Sequence, residues 1–216
     1  MKIYGFYHIA CMNNWKSVVD DQIETLSKVN VNKLFISVIF KDENDLTYIK
    51  SKLKDNWIII KSSDNFKDYE FEILKYMREL SIHEEFLCFY LHTKGVSVES
   101  TKNFYPIPNG VPHLLKCVEA WRKYMEYFLF NDVNNIINLL KEFDAVGVAL
   151  IGIPTRHFSG NFWWSKSEYI KTLSKDFGNR WTAEFWIGKN STGNLKSLCG
   201  IQSSYTRIIK EEEYIK

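Results

Sequence analysis

The chain has 216 residues, enough to bury a core without disulfide or metal staples, and its 45% hydrophobic and 25% charged residues exclude disordered, collagen-like and fibrous architectures. Lys and Arg total 28 against 26 Asp and Glu, a formal charge of +2 that excludes a strongly basic nucleic-acid coat but allows a local basic patch. Aromatic residues reach 16%, with 7 Trp, 12 Tyr and 15 Phe, which suits either stacking on flat ligands or an aromatic core.

Short apolar runs alternate with stretches of helical period, the pattern of an α/β sheet. A first strand is predicted over residues 2–10 (KIYGFYHIA), then a helix over 15–29 with an apolar stripe at Val18, Val19, Ile23 and Leu26. A strand over 33–40, a helix over 43–53, a strand over 57–63 and a helix over 69–83 follow. The fourth strand, FLCFYLHTKG from residue 86, runs into a polar loop. Residues 96–113 hold three of the four prolines, Pro106, Pro108 and Pro112, and are predicted to be irregular and functional. Helices over 114–130 and 133–143 come next, then a strand over 144–152 and a loop that turns helical near Ser165. A turn or short helix over 180–188 precedes an irregular polar tail.

Cys11, Cys88, Cys117 and Cys199 are widely separated, without C-x-x-C or zinc-ligand spacing, and read as reduced, buried thiols. The start lacks an apolar core of signal-peptide length, and no window approaches the roughly 18 apolar residues of a membrane helix. A cytoplasmic protein with no intrinsic membrane segment is expected.

In an open α/β sheet, ligands sit beyond the carboxyl ends of the strands. There the chain carries YHIAC after the first strand, SSDN after the third, HTKG after the fourth and RHFSGNFWW after the late strand. The dinucleotide fingerprint, the P-loop, G-x-S-x-G and H-E-x-x-H are all absent. Lys94 and Gly95, with Arg156 and Arg180 later, supply positive charge and close-approach backbone for a phosphate.

In this order, YEFEILKYM, YLHTKGVS, WRKYM, DAVGVAL, HFSGNFWWSKSEYI and AEFW resemble a family of small GT-A-fold glycosyltransferases of bacterial polysaccharide clusters and large DNA viruses. The resemblance runs from the first strand to Gly188. It implies a GT-A-like, Rossmann-like three-layer α/β/α sandwich with a mixed, mostly parallel sheet. The activity it implies is transfer of a hexose or deoxyhexose from a nucleotide-sugar, a UDP-sugar above all, to a glycan acceptor. With no internal repeat or Gly/Ser linker, a single domain over 1–216 is expected, with a nucleotide-binding half of about 1–100 and an acceptor half of about 101–216. The chain can also be one module of a larger glycosyltransferase.

Carried onto this chain, the resemblance places the base and ribose at Tyr7, His8, Ala10 and Asp64, with Glu70 opening the next helix. Core packing is the competing reading for Tyr7, and a helix-start carboxylate for Glu70. Where many such enzymes carry Asp-x-Asp for Mn²⁺ or Mg²⁺, this chain has His92, Thr93 and Lys94, followed by Gly95. Either His92 joins a metal through its imidazole or Lys94 supplies the charge. His157 is a candidate for a phosphate contact or for completing a metal site, as a late histidine does in some such enzymes, and Ser159, Gly160 and Asn161 are candidates for sugar contacts. Of Trp163 and Trp164, one is expected as a sugar platform and one as core. Glu184 stands where an inverting enzyme places its base, with Arg180 orienting it and Trp186 as acceptor wall; a structural Arg180–Glu184 pair is the competing reading. Lys94, His157 and Glu184 are expected to share a cleft. A non-catalytic nucleotide- or carbohydrate-binding module is the alternative function, and near-neutral charge disfavours nucleic-acid binding.

Overall fold

The computed structural model describes residues 1–98, 109–190, 192–200 and 207–215. The elements are β1 (Lys2–Ala10), α1 (Trp15–Ser27), β2 (Lys33–Ile39), α2 (Glu43–Lys50), β3 (Trp57–Ser63), α3 (Phe71–His83), β4 (Phe86–His92), α4 (Gly110–Phe130), α5 (Val133–Leu139), β5 (Ala145–Gly147), β6 (Leu150–Ile151), β7 (His157–Phe158), β8 (Trp163–Lys166), α6 (Ser167–Ile170), α7 (Arg180–Phe185) and β9 (Leu195–Ser197). Seven strands form one sheet in the order β3-β2-β1-β4-β8-β5-β9. β8 runs antiparallel to β4 and β5, and every other pairing in that sheet is parallel. β6 and β7 form a separate antiparallel ribbon.

The strand period of two sorts the side chains into two cores. Tyr7, Ile9, Leu87, Leu91 and Trp164 face α1, α2, α4 and α5, while Tyr4, Phe6, Cys88, Tyr90 and Trp163 face α3, α6 and α7. This is the three-layer α/β/α sandwich with a mixed, mostly parallel sheet expected of a GT-A-like domain. Buried on both faces, β1, β2 and β4 are apolar almost throughout, as internal parallel strands must be.

Two expectations change. Pro112 lies in the first turn of α4 rather than in the loop, tolerated there because the first turn's N–H groups have no intrahelical partner. The strand predicted over 144–152 splits into β5 and β6, with Ala149 between them at φ 51°. Pro106 and Pro108 lie outside the described residues.

Candidate functional site

The chain goes from β1 outward to β2 and β3, then returns to place β4 on the other side of β1. Strand order therefore reverses between β1 and β4, and the crevice beyond their carboxyl ends is the topological switch point of the sheet. Backbone and side chains knit its floor. Thr93 N–H donates to the His8 carbonyl at 3.1 Å, and Ala10 N–H donates to Thr93 Oγ1 at 2.9 Å. Asn13 Nδ2 donates to the Val96 carbonyl. Thr93 and the Ala10 amide thus hold the two loops together and are not presented to a base.

On the α3 side of this edge lies a polar cluster. Glu70, at the start of α3, places Oε1 3.0 Å from His92 Nδ1, and its Oε2 accepts from Asn161 Nδ2 at 3.0 Å. His92 Nε2 is 3.1 Å from the Gly160 carbonyl. Both His92 nitrogens face protein acceptors, so neither is turned toward open space where a metal would sit. His8, beside His92 across the β1–β4 ladder, has Nδ1 2.8 Å from Ser37 Oγ.

The charges follow from this geometry. Burial alone would raise the Glu70 carboxyl, but the charge and hydrogen bond of His92, with smaller help from His8 and Tyr90, hold it well below the usual carboxylate range. Burial pushes His8 down to about 4, His92 adding to that and Glu70 opposing it. Burial first, then the charges of Glu70 and Glu184, raise the Tyr90 phenol well above its ordinary value. The Tyr90 hydroxyl is close enough to act on Glu70, yet it forms no hydrogen bond of good geometry.

The His8 shift sets a pH dependence. Unfolded, His8 binds its proton below about pH 6.5; folded, it waits until about 4. The unfolded state therefore holds more protons between these values, and stability falls as pH drops through that window, by up to about 3 kcal/mol. Glu70, lowered in the fold, adds a further loss below about pH 4.5. Thermal unfolding of the wild type and His8→Gln between pH 8 and 4 checks this. The variant should lose most of the slope between 6.5 and 4, and an unchanged slope would assign it to other groups.

The turn before β8 is built around Gly160 and Asn161, at φ 87° and 57°. A Cβ on Gly160 would come within 2.6 Å of Met125 Sδ and 2.9 Å of Trp121 Nε1, so this glycine admits α4 rather than a sugar. Asn161 donates to Glu70 and, at 3.4 Å, to the Ala183 carbonyl, and accepts from Trp163 Nε1 at 2.9 Å. Its amide is thereby committed within the fold. Ser159 is buried, its N–H donating to the Ala149 carbonyl at 3.0 Å.

The tryptophan expectations are corrected. Adjacent Trp163 and Trp164 point to opposite faces, as consecutive strand residues do, and both are core. Trp164 Nε1 donates to the Leu129 carbonyl at 3.0 Å. Trp186 is buried too, its Nε1 donating to the Ser174 carbonyl at 2.8 Å. Tyr7 follows its packing alternative: the ring is buried and the hydroxyl donates to Gln22 Oε1 at 2.8 Å.

Lys94 and Gly95 border a hollow of about 120 Å³ between α1 and α4, with Asn14, Ser17, Lys116 and Arg122. Gly95, at φ 96°, brings its backbone against Val118. Arg122 pairs with Asp21 at 2.8 Å and Glu126 at 3.3 Å. His157 sits in β7, Nδ1 donating to the Thr155 carbonyl at 2.6 Å, with its ring 4.8 Å from Phe185 of α7. Glu184, on α7, is partly exposed beside it, and Arg180 is exposed with no ion pair to Glu184 among the described residues. Asp64 is exposed after β3, where Asp68 takes the turn's hydrogen bonds from Ser63 and Asn65. The structure thus brings His8, Glu70, His92, Asn161, Tyr90 and Glu184 together, with His157 alongside. Lys94 opens instead on the other helical layer, so the single cleft expected for Lys94, His157 and Glu184 is not formed.

Sequence reasoning missed Gln22, which donates to the His92 carbonyl at 3.1 Å and to Glu126 at 2.9 Å, anchoring the end of β4 from below. Its signal was an amide on the buried stripe of Val18, Val19 and Leu26. It also missed Trp181, the exposed indole of α7.

Without Asp-x-Asp, the resemblance leaves two alternatives open, Mn²⁺ or Mg²⁺ held through His92, or the charge of Lys94 alone. Among the described residues no three His, Cys, Asp or Glu side chains gather as a metal site, and the His92 nitrogens are committed to Glu70 and Gly160. These residues do not fit a divalent ion. No described helix is long and apolar enough to cross a membrane.

No curated relative matches the sequence. Among solved structures, HddC from Yersinia pseudotuberculosis aligns with TM-score 0.50 and 11% identity over 91% of this chain and 89% of its own. A protein provisionally described as a nucleotide-diphospho-sugar transferase, from Desulfovibrio desulfuricans G20, aligns with TM-score 0.47 and 11% identity over 91% of this chain and 80% of its own. The 4-diphosphocytidyl-2C-methyl-D-erythritol synthase of Anaerococcus prevotii DSM 20548 gives 0.45 and 12% over 98% and 92%. At such identity the likeness concerns the fold alone. Residues 6–184 match the model of the family described as Domain of unknown function (DUF8361), and the chain belongs to that family.

Proposed function

We propose that the protein is a glycosyltransferase that moves a sugar from a nucleotide-diphospho-sugar, a UDP-sugar above all, to a glycan acceptor. The observation that carries this reading is the position of the HTKG and HFSGN segments. Both end at the switch point between β1 and β4, where open α/β sheets take their ligands, and Glu184 of α7 stands over the same edge. The sequence resemblance supports it independently.

In this reading the acceptor oxygen attacks the anomeric carbon as the bond to the diphosphate breaks, and Glu184 takes the hydroxyl proton. If configuration is retained, Glu184 holds the acceptor instead. The Glu70–His92 pair fixes the end of β4, and Lys94, two residues beyond His92, opens toward α1 and α4, so in this reading the diphosphate crosses the sheet edge to meet its charge while the sugar lies on the Glu184 side. The base and ribose fall to the β1 and β3 ends, where Asp64 is exposed.

Calorimetric titration with UDP, with Mn²⁺ and with EDTA, tests the donor assignment. UDP should bind with the same affinity, within twofold, in both, because the described residues offer no metal site. Silence to UDP, GDP and CMP alike would refute the donor assignment; strong dependence on Mn²⁺ would place metal ligands elsewhere in the chain. One observation favours a second reading, a binding module without turnover. The polar side chains of the cluster largely satisfy one another, Glu70 included, and Glu184 on α7 is the partly exposed carboxylate that is not tied into those bonds.

A further inference from the structure

Six of the seven tryptophans are at most 5% exposed, whereas Trp181 is 57% exposed on α7. An indole left in water forgoes the burial the others obtain, and it is the largest flat apolar face on this part of the surface. The ring is also held in place. It stacks on Phe185 at 6.3 Å and 17°, and Phe185 is braced in turn by the His157 ring. The helix start below it is fixed by reciprocal bonds between Asn179 and Thr182.

Glu184 follows three residues later, so it and Trp181 share one face of the helix. Arg180, exposed, precedes it. A carboxylate that can accept thus shares the face of a flat apolar ring, and an exposed guanidinium that can donate stands one residue before it in the chain. A pyranose is the complement of that surface: its C–H face is apolar, and its hydroxyls both donate and accept. A phosphate-bearing ligand would meet the Glu184 carboxylate, and an apolar peptide side chain would use neither polar group.

We propose that Trp181 is a saccharide platform, the ring on which a pyranose of a neutral glycan acceptor lies while Glu184 receives one of its hydroxyls. The acceptor role rests on the transferase reading; the binding does not. Saturation-transfer NMR tests it with the methyl glycosides of glucose, galactose, mannose, rhamnose and N-acetylglucosamine, together with maltose and cellobiose. Uridine and adenosine serve as flat controls. Wild type, Trp181→Ala and Trp181→Phe are compared, with UDP calorimetry on each.

At least one saccharide should take up saturation on its ring C–H protons. Its affinity should weaken about tenfold in Trp181→Ala, the loss expected of one aromatic contact, and stay within threefold in Trp181→Phe. UDP affinity and the unfolding temperature should not move. Saccharide binding that is absent, or equal in Trp181→Ala, overturns the proposal, as does saturation of the nucleosides alone. If UDP, GDP and CMP are all silent while Trp181-dependent saccharide binding persists, the transferase reading falls and the platform stands.

Discussion

Glu184→Gln should lower release of UDP from UDP-glucose, UDP-galactose or UDP-N-acetylglucosamine, whichever is turned over, by about 10²- to 10⁴-fold, the range of a positioned general base. UDP affinity should stay within about twofold of wild type, because the change is isosteric and Glu184 is assigned to the acceptor rather than to the nucleotide. The reason lies in how α7 is held. Ala183 and Trp186, on either side of Glu184, are buried, and the Ala183 carbonyl accepts from Asn161. The carboxylate is thus carried by a fixed element while remaining partly exposed, and its charge reaches Tyr90 beside Glu70. A carboxylate so placed can take a proton from a hydroxyl without first being freed from a partner. Glu184→Asp, which keeps the charge on a shorter arm, should recover part of the rate. Equal turnover in Glu184→Gln would place the base elsewhere, and absence of turnover in the wild type with UDP still bound would favour the binding module.

Glu70→Ala should cost about 3 kcal/mol of stability and lower the melting temperature by roughly 10 °C. Its carboxylate joins three elements: Oε1 reaches His92 at the end of β4, Oε2 reaches Asn161 before β8, and the residue itself opens α3. Removal leaves His92 Nδ1 and the Asn161 amide without their acceptor in a site where both partners of the pair are less than one-fifth exposed. Partial solvent access places the loss at the lower end of what a broken buried pair costs. Glu70→Gln keeps one acceptor, so it should lose about half as much. Differential scanning calorimetry at pH 7 decides; a melting temperature within about 2 °C of wild type in Glu70→Ala would mean that water replaces the carboxylate at little cost.

The four leading strands and the helices between them were legible because each is a single uninterrupted pattern. β1 and β3 match their predicted bounds, and the ends of the helices differ by a few residues, where terminal turns fray. β8 was not legible: WWSK is four residues buried on both faces, so it has no alternation to read, and its tryptophans suggested a ligand surface instead. β9 is three residues within a polar stretch and owes its place to pairing with β5, a long-range contact no local pattern announces. At the site, the importance of Glu70 and His92 was visible from their positions at element ends. Their mutual pairing was not, because it joins residues 22 positions apart through the packing of α3 on the sheet. Exposure was the least legible property: Trp163, Trp164 and Trp186 are core while Trp181 is not, and in a chain this rich in aromatics only the packing sorts them.

The central claim is that the crevice beyond β1 and β4 holds a nucleoside diphosphate. A crystal of the protein grown with UDP tests it most directly. The account predicts density for the diphosphate against residues 10–14 and 93–95, with the uracil toward the end of β3. Well-ordered UDP bound at any other face of the sheet, away from that edge, would contradict it.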